Sequence, residues 1–165
     1  MPRERAEHND CYHPSMPEPA VILVVDVANV VGSRPDGWWR DRAGAAERLL
    51  ARLASFVGRT VAGPDGEDVE IARIVAVVEG QAKRADAPDG VDPDRFEVVR
   101  AAADGDTAIV ERVRAETSGS PETSGSPERS GADLLVVTAD RGLRARLPSD
   151  VRVAGPGWLN DLLGR

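Results

Sequence analysis

The chain predicts an α/β fold built on a mostly parallel sheet, and two observations carry that prediction. Apolar-rich runs at 20–25 (AVILVV), in the second half of 69–79 (VEIARIVAVVE) and at 132–137 (ADLLVV) have the pattern of strands covered on both faces, as parallel strands are. Segments of helical period lie between them, so strand and helix alternate, and parallel neighbours joined this way require right-handed crossovers.

The elements follow in order. Residues 1–19 are polar and show no apolar period, which predicts a mobile tail in which Met16 is a candidate natural start. His8, Cys11 and His13 have a spacing that suits zinc, but a solvated tail is the simpler account of three such residues. After the strand at 20–25, residues 32–39 (GSRPDGWW) are a loop by composition. Leu49, Leu50, Leu53 and Val57 recur at helical spacing and predict an amphipathic helix over 41–57. Residues 58–68 are then a loop, the next strand ends on Glu79, and 80–95 is again polar loop. The stretch 96–101 (FEVVRA) is a short strand, and 104–116 (DGDTAIVERVRAE) a helix that Asp104 or Asp106 can cap.

Two copies of the hexapeptide ETSGSP come next; a stretch of this composition buries no apolar area, so 117–130 is expected to be a flexible insertion without a functional role. A third strand over 132–140 carries Asp140 after its apolar run, followed by a helix at 141–147, a strand at 151–155 and a closing helix at 156–163 with Pro156 in its first turn. A length of 165 residues suits a single domain, here 20–165.

Composition narrows the function. Aromatics are 4% of the chain, so the core is aliphatic. A net charge of −7 argues against holding nucleic acid by bulk positive charge, yet it suits an enzyme that gathers carboxylates in its cleft to hold cations. Among the 21 basic residues only Lys83 is lysine, and arginine's planar fork matches phosphate oxygens. Cys11 is the only cysteine, which excludes an internal disulfide or multi-cysteine zinc site and fits a reducing cytoplasm. No apolar run approaches the ~20 residues of a membrane helix, so no membrane association is expected.

The informative feature is positional. Asp26, Glu79 and Asp140 each follow an apolar run, and in open α/β sheets the ends of such strands border one crevice. Asp106, at the start of a helix that follows a strand, belongs to the same edge. Carboxylates brought together repel and raise one another's pKa unless a cation sits among them, and oxygen donors suit Mg²⁺ or Mn²⁺. Asn29, three residues after Asp26, supplies a neutral hydrogen-bonding group beside it. Ala28 leaves no acid two residues after Asp26, against the Asp-x-Asp pattern of haloacid dehalogenase-type phosphatases.

These residues resemble a known family. VVDVANV (24–30), DGDTAIVERV (104–113) and VVTADRGLRARL (136–147) look like the three motifs of NYN-type members of the PIN-like nuclease superfamily, in the family's order. The resemblance implies a Rossmann-like three-layer α/β/α sandwich and a metal-dependent ribonuclease. It implies Asp26, Asp106 and Asp140 as metal ligands, Asn29 orienting an acid or a water, and Thr138 supporting the site. The family's fourth acid has two possible counterparts here, Glu79 and Asp104. Arg141, Arg144 and Arg146 follow the last motif and either steer RNA phosphates or form a solvated face; Trp38 and Trp39 either stack on unpaired bases or pack their loop against the next helix. Two competitors stand beside the nuclease: a nucleoside triphosphate pyrophosphohydrolase or phosphatase, against which the absence of a Walker-type glycine loop counts, and a non-catalytic α/β module binding RNA or protein. A homo-oligomer and a protein inhibitor remain compatible with the sequence.

Overall fold

The computed structural model describes residues 18–118 and 132–164. In chain order the elements are β1 (Ala20–Asp26), α1 (Val27–Gly32), α2 (Arg42–Ala54), β2 (Thr60–Ala62), β3 (Asp68–Val78), β4 (Phe96–Arg100), α3 (Gly105–Thr117), β5 (Asp133–Val137), α4 (Arg141–Arg146), β6 (Arg152–Ala154) and α5 (Pro156–Leu162), with 3₁₀ turns at Trp38–Arg40 and Gly80–Arg84. The readings for the tail up to residue 17, including His8, Cys11 and His13, and for 119–130 fall outside the described residues.

β1 lies between β3 and β5, parallel to both, and β6 extends the sheet beyond β5. The outer edge of β3 is shared: β2 pairs antiparallel with its first residues and β4 parallel with its last. The chain therefore leaves β1 toward β3 and later returns to its other side at β5. The order reverses beside β1, and a crevice opens beyond the carboxyl ends of the strands at such a point.

Alternation along β1 separates the two faces of the sheet. Val21, Leu23 and Val25 pack with α1, α2 and α5, through Val30, Leu49, Leu53 and Leu159 among others. Val24 packs the other way with Ile109, Val110 and Val113 of α3 and Leu143 of α4. The result is the three-layer α/β/α sandwich, and the central strand is buried because helices cover both faces. Among the described residues no helix is long and apolar enough to cross a membrane.

Three local expectations are corrected. The loop expected over 58–68 contains β2, which reads as loop because its exposure alternates and Val61 is its only buried residue. β3 is a strand for 11 residues rather than only in its Val-rich second half, since its first turns pair with β2. The residues after Asp26, for which the sequence predicts no element, form a six-residue helix, α1. Finally, α2 stops at Ala54, short of residue 57, whereas α3 extends through Thr117 into the expected insertion.

Candidate active site

The site is built at the carboxyl edge of the sheet, and register decides who meets whom. Val24 and Val25 pair with Val136 and Val137, so the next residues on the two strands, Asp26 and Thr138, stand side by side on the face toward α3. Thr138, fully buried, donates its hydroxyl to Asp26 Oδ2 at 3.0 Å. The backbone N–H of Asn29 donates to Asp26 Oδ1 at 3.1 Å, so Asp26 also caps α1. A carboxylate only 9% exposed is thus fixed through both oxygens by a strand neighbour and a helix turn.

The segment after β5 is tied back to the same centre. Asp140 N–H donates to Thr138 Oγ1 (3.1 Å), Ala139 N–H to the side-chain oxygen of Asn29 (2.9 Å), and Arg144 donates twice to Thr138 O (3.2 and 3.0 Å). Asp140 Oδ1 caps α4 by accepting from Leu143 N–H at 2.8 Å. Asn29 thus touches both acids' supports. Its backbone holds Asp26, and its side chain holds the loop that carries Asp140.

At the start of α3 the acids divide their labour. Asp104 spends both oxygens on Thr107, capping the helix through N–H (2.7 Å) and hydroxyl (3.0 Å). Those bonds hold its carboxyl below the usual aspartate pKa, and it does not line the cavity at the sheet edge. Glu79 Oε2 reaches across to accept from Gly105 N–H at 2.6 Å. This close approach explains the glycine, since a Cβ there would stand 2.9 Å from Glu79 Oε2. Asp106, in the first turn of α3, accepts no hydrogen bond among the described residues.

Asp26, Asn29, Glu79, Asp106 and Asp140 line one open cavity of about 470 Å³ together with Ser33 and Ala139, and among the described residues no Lys or Arg lines it. The structure thus brings together four of the five predicted acids and leaves Asp104 outside. Burial raises the pKa of Asp26 above that of an ordinary aspartate, against the lowering hydrogen bonds from Asn29 and Thr138, with the charges of Asp106 and Glu79 adding to the rise. Asp106 is also raised, by partial desolvation and then by the charge of Asp140, with Arg146 pulling the other way.

Oxygen is the only donor type that the acids, Asn29 and Ser33 offer, which suits a hard divalent cation. Asp106 is unengaged and Asp140 and Glu79 each bond through one oxygen, so acceptor capacity is left over. Among the described residues, however, no three His, Cys, Asp or Glu side chains are gathered tightly enough to grip an ion directly. The arrangement fits an ion that keeps waters in its shell, as Mg²⁺ commonly does, rather than one in an all-protein cage.

The arginines divide too. Arg144 is used in bracing Thr138 O, and Arg146 donates to Thr107 Oγ1 at 3.2 Å, beside the acids at the start of α3. Arg141 is exposed. None of the three lines the cavity. Sequence reading missed the bracing by Arg144 and the tether from Asn29 to Ala139, which join residues that no local pattern relates.

No protein-family model and no curated protein matches the chain. Among solved structures, a crystal structure of Rae1 (YacP) from Bacillus subtilis, a tryptophan-to-leucine mutant, is similar to it with a TM-score of 0.55. The match covers 87% of this chain and 75% of that one at 15% sequence identity, a likeness of fold.

Proposed function

We propose that the protein is a metal-dependent ribonuclease that hydrolyses RNA phosphodiester bonds. The observation that carries this is the meeting of Asp26, Glu79, Asp106 and Asp140, from four separate points of the chain, around one cavity in whose wall no Lys or Arg stands among the described residues. Like charges held this way cost stability, and the ordinary reason for retaining them is a cationic ligand. The three motifs that resemble the NYN-type pattern, on a fold like that of Rae1, favour a polynucleotide over a small phosphate ester. RNA is the partner, and the reading places the protein in the cytoplasm.

In this reading Asp26 is the fixed point, because Thr138 and the turn of α1 leave its carboxylate no freedom to swing. Asp106 and Asp140 supply negative oxygens opposite it, and Glu79 supplies another while holding the N-terminus of α3 in place. Bound Mg²⁺ or Mn²⁺ would make water acidic enough to act as nucleophile near neutral pH and would offset the charge developing on the phosphate. The proton released by that water would pass to a carboxylate of the same cavity left free of the ion, or to bulk water. The family pattern implies products with 5′-phosphate and 3′-hydroxyl ends.

Incubation with Mn²⁺ and either end-labelled single-stranded RNA or a panel of nucleoside triphosphates tests this. The expected result is shortened RNA, intact nucleotides and complete inhibition by EDTA. Turnover of nucleotides with intact RNA would instead identify a pyrophosphohydrolase or phosphatase, and metal binding unaffected by Asp26→Asn and Asp140→Asn would identify a non-catalytic module.

A further inference from the structure

A second cavity, of about 220 Å³, adjoins the acid-lined one. Its wall is mainly apolar (Val27, Val31, Trp38, Ala46), with Arg42 and Gln81 as polar members. Ala28 and Glu79 line both cavities, so the two share a wall. Trp38 touches that boundary as well: a Cβ placed on Gly32, which lines the acid cavity, would stand 3.7 Å from Trp38 Cζ2.

We propose that this cavity takes the unpaired base of a nucleotide whose phosphate lies over the carboxylates. The proposal deepens the ribonuclease reading and rests on it for the identity of the substrate. Size is the first argument, because the space is below the ~300–1,000 Å³ of pockets for drug-sized ligands and suits one planar ring system. Chemistry is the second. The Arg42 guanidinium lies over the Trp38 ring at 5.2 Å from its centroid, so a cation and an aromatic ring, both of which bases stack on, meet in the wall of this cavity. Gln81, exposed and carrying both a donor and an acceptor, can pair with a base edge. Among the described residues Arg42 is the only cation in the wall of either cavity, and so the one available to a phosphate flanking the base. Trp39, 53% exposed and packed edge-on against Trp38 at 6.3 Å, extends the aromatic surface outward for the next base.

The test uses the full chain with Ca²⁺ in place of Mn²⁺, which offsets the carboxylate charge while holding cleavage back, so that binding is read alone. Tryptophan fluorescence is followed while tetra-adenylate RNA, or the same tetranucleotide with abasic sites, is added. The expected result is saturable quenching by tetra-adenylate, at least tenfold weaker binding of the abasic probe, and about tenfold weaker binding of tetra-adenylate to Trp38→Ala, as loss of one stacked base predicts. Trp38→Phe, which keeps a ring against the core, should fall between Trp38→Ala and the parent; Gln81→Ala, at an exposed position, should reduce discrimination among homopolymers without changing the melting temperature. Trp158→Phe, whose indole N–H donates to Ala62 O on β2, should bind as the parent does. Equal affinity for both probes, or an unchanged affinity in Trp38→Ala, would overturn the proposal. RNA cleavage with Mn²⁺ is measured in parallel on the parent. Cleavage without base-dependent binding removes the base pocket and leaves the nuclease; base-dependent binding without cleavage does the reverse.

Discussion

Two charged clusters on this molecule are built on opposite rules. The first joins Arg73 of β3, Glu97 of β4, and Arg112 and Glu116 of α3. Glu97 Oε2 accepts from Arg73 at 2.6 Å and from Arg112, while Glu116 Oε1 accepts from Arg73 at 2.9 Å and lies 3.0 Å from Arg112 Nε. Two cations meet two anions, and the group clamps α3 onto the sheet. The second is the cup of Asp26, Glu79, Asp106 and Asp140, in whose wall no Lys or Arg stands among the described residues. The balanced group neutralises its own charge and joins α3 to the sheet. The unbalanced one is held open by hydrogen bonds that spend oxygens of Asp26, Glu79 and Asp140 on helix caps while leaving a surplus of charge. A surplus the fold does not neutralise is a place for a ligand.

Mutations break that comparison most sharply in activity. Asp26→Ala or Asp106→Asn should lower kcat/KM for RNA by on the order of a hundredfold or more, because each removes charge that the proposed metal site would need. Glu97→Gln in the balanced cluster should leave it within about twofold in the same gel assay. Thr138→Val, which keeps shape but removes the hydroxyl, should cost about 10–100-fold in activity as a loss behind the reacting groups. The same change frees Asp26 from a bond that lowers its pKa, so the acid limb of the pH–rate profile should move to higher pH.

Stability should reverse the ranking. Glu97→Gln leaves two arginine side chains short of an anion; with the group about 18–33% exposed, the loss should be about 1 kcal/mol, or several degrees in Tm. Asp106→Asn in EDTA should raise Tm slightly, the relief of repulsion outweighing the lost favourable interaction with the helix N-terminus. The sign follows from linkage. A carboxyl whose folded pKa lies above its unfolded one binds more protons folded than unfolded, so it subtracts stability as pH rises above about 4. The metal-free parent should therefore lose stability through that window more steeply than Asp106→Asn, which a melting series at several pH values measures. The smallest effect sharpens the geometry: Gly105→Ala should leave Tm within about 1 degree but displace the Glu79 carboxylate, and activity should fall with it.

The two clusters also differed in how far the sequence disclosed them. The cup was legible because each strand-end acid follows an apolar run, and topology brings such ends together whatever their separation in the chain. Glu79 and Asp104 could not be told apart, because only the structure shows that Asp104 folds back on Thr107 while Glu79 reaches Gly105. Of the balanced cluster only Arg112 and Glu116, one helical turn apart, carry a local signal. The parallel strands were readable because both of their faces are covered; β2 was not, since an edge strand of three residues has one buried side chain to show. Asn29 was placed near Asp26 correctly, but its bond to Ala139, 110 residues away, depends on a register that no single segment encodes.

A crystal soaked in Mn²⁺, with anomalous scattering used to place the metal, decides whether the acid cup binds an ion. A manganese peak is expected in the cavity bounded by Asp26, Glu79, Asp106 and Asp140, with waters completing its shell, and none in Asp106→Asn. A cavity free of manganese at saturating concentration, or an equal peak in that variant, would contradict the proposed metal site.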